Sequence, residues 1–169
     1  MDTMGRLARW LILLALLLAG GCILDDDSDD WTSRPTNVSK DQLRAAPETL
    51  HIGGIVLTAH AELWRDFMPV SPPSGSPLSG VVDLSPSDSA AGMPPVIEAY
   101  VWMMKDPDVW TTRMERQGPA PTGGGERFRF SGGPKWGPGI SVDVIVGVRT
   151  SPDHVALLSA GKVPIRRVE

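Results

Sequence analysis

Ile140-Ser141-Val142-Asp143-Val144-Ile145-Val146-Gly147-Val148-Arg149-Thr150 is the stretch whose reading decides the fold. Ile140, Val142, Val144, Val146 and Val148 recur at every second position, and Ser141, Asp143 and Arg149 fall between them. An extended chain sends successive side chains to opposite faces, so this period marks a core strand with one buried side. Glu126 to Ser131 repeats the pattern, with Phe128 and Phe130 alternating against Arg127 and Arg129. Burying a side chain of this size contributes about 1.5–3 kcal/mol, so the two strands alone supply much of a core.

The same period extends outward along the chain. From Leu50 to Trp64, Ile55, Leu57, Ala59, Ala61 and Leu63 share one face, and Val56, Thr58, His60, Glu62 and Trp64 the other. Gly53-Gly54 reads as a bulge or bend at its start. Further short apolar runs span Leu78 to Leu84, Val96 to Met104 and Val109 to Glu115, and Val155 to Leu158 reads as paired with Val163 to Val168 across Ala160-Gly161. The Pro-rich stretch from Asp66 to Pro77 cannot sit in a ladder, because Pro lacks the donor, and is expected as a long exposed loop. Ser85 to Pro95 and Gln117 to Gly125 are dense in turn-forming residues and separate strands in the same way.

The chain carries 18 Gly and 16 Pro, about a fifth of its 169 residues, which disfavours helices and suits short strands joined by turns. Seven or eight strands with no helix after the first 21 residues predict an all-β fold, an antiparallel β-sandwich. The pattern resembles immunoglobulin-like or transthyretin-like sandwiches, without the paired cysteines of antibody domains. Such a resemblance carries architecture and not function.

Arg6 and Arg9 precede an apolar run from Trp10 to Ala19, and Gly20 and Gly21 lead directly into Cys22. That is the charged, apolar, small-residue order of a secretory signal peptide, expected to be helical. The run is about ten residues, roughly half the length a bilayer-spanning helix needs. Asp2 is unusual in such a leader, and a start at Met4 would remove it. Leu18-Ala19-Gly20-Gly21-Cys22 resembles the lipobox of bacterial lipoproteins, although Ala19 stands where Leu is preferred. The resemblance implies cleavage between Gly21 and Cys22, and a diacylglyceryl thioether and an N-acyl chain on Cys22. A thiolate is the side chain nucleophilic enough for that alkylation. Ile23, where inner-membrane lipoproteins tend to carry Asp, implies delivery to the outer membrane, facing the periplasm or the surface, if the source has two membranes.

Asp25, Asp26, Asp27, Asp29 and Asp30 follow, and with the polar stretch to Pro47 they read as a solvated, disordered tether. The chain thus divides into a signal peptide at 1–21, a lipidated cysteine with an acidic tether at 22–48, and a β-sandwich domain at 49–169. From Trp31 onward Lys plus Arg and Asp plus Glu each number 14, once Arg6 and Arg9 and the six earlier Asp residues are set aside from totals of 16 and 20. A domain of zero net charge lacks the clustered cations of a nucleic-acid binder. Cys22 is the single cysteine, so no intrachain disulfide forms and burial must hold the fold.

His60, Glu62, Trp64 and Asp66 share one face of the first long strand. A His, two carboxylates and an aromatic there can bind a cation or a sugar, or hold a proton-transfer pair. A plain solvent-facing sheet side outweighs that reading. A metal site would need a further ligand, with His51 or His154 as the remaining imidazoles; no metal is assigned. His60-x-Glu62 echoes zinc deaminases, whose second cysteine motif is missing here. Met68, Met93, Met103, Met104 and Met114 lack the spacing of a copper thioether site and read as core filler. No serine sits in a Gly-x-Ser-x-Gly elbow, which argues against a hydrolase. Trp136, in the Gly132 to Gly139 loop, is either an aromatic anchor for a partner or a cap on the core.

The expected function is therefore a membrane-anchored, non-catalytic binding or structural module of the cell envelope. Its partners are the membrane, through the lipid, and an envelope protein or polymer. The candidate binding residues are His60, Glu62, Trp64 and Trp136, and no cofactor is expected beyond the covalent lipid. The alternatives are a metal-binding lipoprotein using His60 and Glu62, and a hydrolase without a recognisable motif.

Overall fold

Leu50–Ile52 (β1) and Ile55–Asp66 (β2) form the first hairpin of the structure, a computed structural model that describes residues 37–121 and 124–169. The leader, the segment ending in Cys22 and the acidic run lie outside the described residues. Leu78–Pro86 (β3), Glu98–Lys105 (β4), Asp108–Pro119 (β5), Glu126–Gly133 (β6), Ser141–Ser151 (β7) and His154–Val168 (β8) complete the strands, with a short 3-10 turn at Ser89–Ala91. The fold is all-β with eight strands among the described residues, as the alternation predicts.

The strands pair in the order β1-β2-β3-β6-β5-β4-β7-β8, and β8 also pairs with β2. Seven strands therefore close into a barrel, with β1 appended to β2. The expected antiparallel sandwich of seven or eight strands is amended accordingly: the strands are there, but they close into a barrel, and the β2–β8 pairing is parallel. Two long strands make the closure. β5 pairs with β4 from Asp108 to Met114 and then with β6 from Glu115 to Pro119. β8 pairs with β7 from His154 to Pro164 and then runs parallel to β2 from Ile165 to Val168. Each carries a bulge near its change of partner, where an extra residue bends a strand and raises its twist. In β8 the register shifts between Val144↔Gly161 and Ile145↔Ser159, leaving Ala160 over, and Gly161 sits at φ 78°. Ala160-Gly161 is thus a bulge inside one 15-residue strand, and not the turn of a hairpin. Gly53-Gly54, expected as a bend, is the turn between β1 and β2. Both its φ angles are positive, 55° and 83°, as a type I′ turn requires.

The barrel interior is filled by the inward residues of the alternation. Leu57, Leu63, Val82, Leu84, Phe128, Val144 and Val146 are all buried there. Gly80 on β3 admits no side chain, since a Cβ would lie 2.5 Å from the Phe130 ring.

A second, smaller cluster lies on the outer face of β4. Ala99, Val101 and Met103 point into the barrel, while Tyr100, Trp102 and Met104 point out and are buried as well. Their cover is Lys40–Arg44 (α1), whose Leu43 is 2% exposed against Tyr100, Trp102, Met104 and Ile145. The stretch expected as solvated tether up to residue 48 is thus folded from Val38 onward. Its cause is local: Ser39 and Gln42 form a reciprocal capping box, with Ser39 N donating to Gln42 Oε1 at 2.8 Å and Gln42 N to Ser39 Oγ at 3.2 Å. Arg44 pairs with Asp106 at 2.8 Å and Lys40 donates to the Pro107 carbonyl, so the helix is clipped to the β4–β5 turn. Gly147 on β7 lets the layers close here, because a Cβ would meet the Trp102 ring at 2.5 Å.

The strand directions place the 67–77 loop, the β4–β5 turn, the 134–140 loop and the end of β8 at one end of the barrel. The N-terminal segment reaches α1 at this end and descends outside β4 to Pro47, whose carbonyl accepts from Ser159 N at 2.7 Å. The β1–β2 turn, the 87–97 loop and the β7–β8 turn lie at the opposite end.

Candidate functional site

β2 delivers His60, Glu62 and Trp64 to the outer face, as its alternation predicts. His60 Nε2 lies 3.8 Å from Glu62 Oε1, with side chains 74% and 46% exposed. Beside them β2 and β8 have not yet met, since their pairing begins only at Leu63 and Ile165. The gap is a cavity of about 220 Å³ with Ala61, Leu63 and Val163 at its base and His60, Glu62, Lys162 and Arg166 around it. Trp64 stands half-buried, in register with Arg166. Among the described residues no three His, Cys, Asp or Glu side chains converge as a metal site would require. Asp66, on the same strand, accepts from Met68 N at 2.8 Å and is used as a turn cap.

Trp136 is half-buried and packs on the barrel core, with Lys105 Nζ 5.8 Å from its ring centroid. Its loop is held by a residue that the sequence reading passed over. Arg65 is 3% exposed and follows Leu63 on the inward face of β2. Its guanidinium donates to four backbone carbonyls: Ser76 at 2.9 Å, Gly137 at 2.7 Å, Lys135 at 3.2 Å, and Ser74. It also lies 5.0 Å from the Phe67 ring centroid. One side chain thus ties the Pro-rich loop to the glycine-rich loop, and Lys135 Nζ adds a bond to Ser74 Oγ at 2.6 Å. The signal was available, because the inward alternation of β2 continues through Arg65 to the end of the strand.

A third place comes from the change of partner in β5. Where β5 leaves β4 for β6, the wall opens into a cleft of about 490 Å³. Phe128 and Met114 line its apolar base; Ile97, Glu98, Arg113 and Arg116 stand around it. Glu98 accepts from the Tyr100 hydroxyl at 2.7 Å and pairs with Arg149 at 2.9 Å and Arg113 at 3.5 Å. Burial first, and then the Glu98 hydrogen bond and charge, push the Tyr100 phenol up to about 12. The hydroxyl therefore stays protonated across the physiological range and donates to Glu98 throughout it. Arg116 reaches across the cleft to the Val96 carbonyl and pairs with Glu126 at 3.0 Å. No sequence signal marks this cleft, since it depends on where one strand exchanges neighbours.

The three places are separate. Trp136 belongs to the loop end, the Glu98 cleft to the β4–β5 parting, and the His60 cavity to the β2–β8 seam. The Glu98 cleft and the His60 cavity each have an apolar base with charged side chains of both signs around it. No protein-family model, no curated protein and no solved structure matches the chain.

Proposed function

We propose that this chain is a lipoprotein of the bacterial cell envelope, held on a membrane through Cys22, whose β domain is a non-catalytic module binding a protein or envelope polymer. The observation that carries the binding role is the cleft where β4 and β5 part. There an apolar base of Phe128 and Met114 lies under Ile97, which is 56% exposed, between arginine and glutamate side chains. Glu98 is already committed to Arg149, Arg113 and Tyr100, so its place is fixed before any ligand arrives. Preformed polar groups around an apolar floor favour recognition, because little ordering is left to be done on contact.

The anchoring role rests on the Leu18 to Cys22 segment and its leader. Two or three acyl chains hold firmly, since each buried methylene contributes about 0.8 kcal/mol. We read the β2-β3-β6 and β4-β7-β8 layers as a sandwich of the immunoglobulin-like or transthyretin-like kind whose edges have been joined by β5 and β8. Outer-membrane delivery follows from Ile23 in a two-membrane source.

A photo-crosslinking residue at Ile97 in intact cells tests the binding role. The expected result is one reproducible partner, lost when Arg113 and Arg116 are both replaced by Glu; absence of any reproducible adduct refutes it. Cys22→Ser tests the anchor: lipid labelling and membrane retention are expected to vanish, and a Cys22→Ser chain that still carries label refutes it.

A further inference from the structure

We propose that the loop end of the barrel rests on the lipid bilayer itself, with the Met68 to Val70 lip in the headgroup layer. This rests on the lipoprotein reading and adds an orientation to it. Among the described residues four large hydrophobics are well exposed, and three of them gather at this end: Val70 at 91%, Met68 at 43% and Val168 at 41%. Phe67 N donates to the Val168 carbonyl at 2.8 Å, which places the lip beside the end of β8. Pro69, Pro72 and Pro73 are exposed along the same loop.

The lip is pre-ordered. Arg65 holds Ser74 and Ser76, Ser71 N donates to the Met68 carbonyl at 2.8 Å, and Gly75 N to the Pro72 carbonyl at 2.7 Å. An apolar surface already fixed in place loses little further entropy on contact. Lys105, Lys135 and Arg166 are exposed around it and make no ion pair with a carboxylate among the described residues, which leaves them for lipid phosphates. Of the acids at this end, Asp66 caps Met68, Asp41 and Asp106 both pair with Arg44 and Glu169 with Arg167, and Asp108 remains exposed.

The anchor says which surface covers the lip. The chain reaches α1 at this same end, where Lys40 and Arg44 clip to the β4–β5 turn. Asn37 lies fifteen residues along the chain from Cys22, with fourteen residues between them. Fully extended, that stretch spans at most roughly 50 Å, so the acyl chains cannot lie farther than that from the loop end. Tethering within such a distance gives an effective concentration on the order of millimolar, at which a small apolar lip suffices. The opposite end, with the 87–97 loop, then faces away from the membrane, and the β4–β5 cleft stays accessible from solution.

The experiment uses the full lipidated chain in vesicles of phosphatidylethanolamine and phosphatidylglycerol. A thiol-reactive, polarity-sensitive dye is placed on Val70→Cys, and on Ser87→Cys at the far end as reference. Both positions are exposed, so folding is preserved, and unfolding curves of the two variants should overlay that of the parent. Expected is a blue-shifted emission protected from iodide at position 70 and an aqueous emission at position 87. Aqueous emission at both positions overturns the orientation. A blue shift at 70 that fades when protein is diluted in the vesicles reports a second copy, and overturns it equally. The parent chain is the separate check: a lipidated Cys22 has no thiol to label, so dye uptake by the parent refutes the lipoprotein reading and the orientation with it. A parent that refuses dye alongside an aqueous position 70 refutes the orientation alone.

Discussion

Replacing Arg65 by Met removes the guanidinium while keeping most of the side chain's apolar stem. Four carbonyls, those of Ser74, Ser76, Lys135 and Gly137, lose their donor at once. A hydrogen bond to a charged group contributes about 1.5–3 kcal/mol, so four amount to about 6–12 kcal/mol. Against this stands the cost of holding a guanidinium at 3% exposure, several kcal/mol, which the Met variant no longer bears. The two surface loops can also move outward and return their carbonyls to water. The net expected loss is about 3–5 kcal/mol, below the gross figure because the released burial cost and the loop movement offset part of it. Urea unfolding of the full chain followed by tryptophan fluorescence measures it, with the midpoint lowered by on the order of 1–3 M. Arg65→Lys separates charge from geometry, because an ammonium has three donors and no planar fork. It should fall between the parent and Met. Trypsin should cut after Lys135 faster in both variants, since the loop has lost its tie. A Met variant within about 1 kcal/mol of the parent would refute the claim that this one side chain holds the two loops.

Leu43→Ala should cost about 2–3 kcal/mol, at the low end for a buried leucine because a five-residue helix at the surface can settle onto the gap. Acrylamide should then quench Trp102 more strongly; a loss under about 0.5 kcal/mol would mean that α1 does not cover β4. Tyr100 is the only tyrosine, so phenolate absorbance reads it alone. Its pKa is raised to about 12 when folded, against 10.0 as the ordinary value. The sign follows: the stabilisation is complete below the ordinary value and is lost as pH rises through about 12. Titration with a midpoint at the ordinary value in the folded chain would contradict the burial and the Glu98 bond. Glu98→Gln should bring the midpoint down, since it removes the charge while leaving the burial.

Much of the fold was legible because alternation is a local property. The core faces of β2, β6 and β7 read directly from period two, and the eight strands lie close to the apolar runs. Closure was not legible. It depends on β5 and β8 each serving two neighbours, and partner choice leaves no period in the chain. The bulge at Ala160-Gly161 was visible as a glycine but reads equally as a hairpin turn, and only the continuing ladder with β7 separates the two. Ser39-Lys40-Asp41-Gln42 carried a capping-box signature that polar composition hid, because a helix this short shows a single buried residue.

Arg65 shows the same division at a site. The period of β2 places it inward, yet charge at an inward position argues for a strand that has already ended, and composition favours that reading. The conflict resolves in the partners: every hydrogen bond of this guanidinium is to a carbonyl of a loop at least nine residues away. Proline and glycine make those loops; proline lacks the N–H donor, and the irregular backbone joins no ladder, so carbonyls are left without donors from a neighbouring strand. A long irregular loop packed on a barrel end therefore requires a multidentate donor from the core side. An inward arginine at the last turn of an alternating strand, followed by a Pro- and Gly-rich segment, is the pattern that supplies it. The same reasoning explains why His60 and Glu62, though chemically richer, remain at the surface: outward positions on a half-buried strand need no partner, since water already serves them.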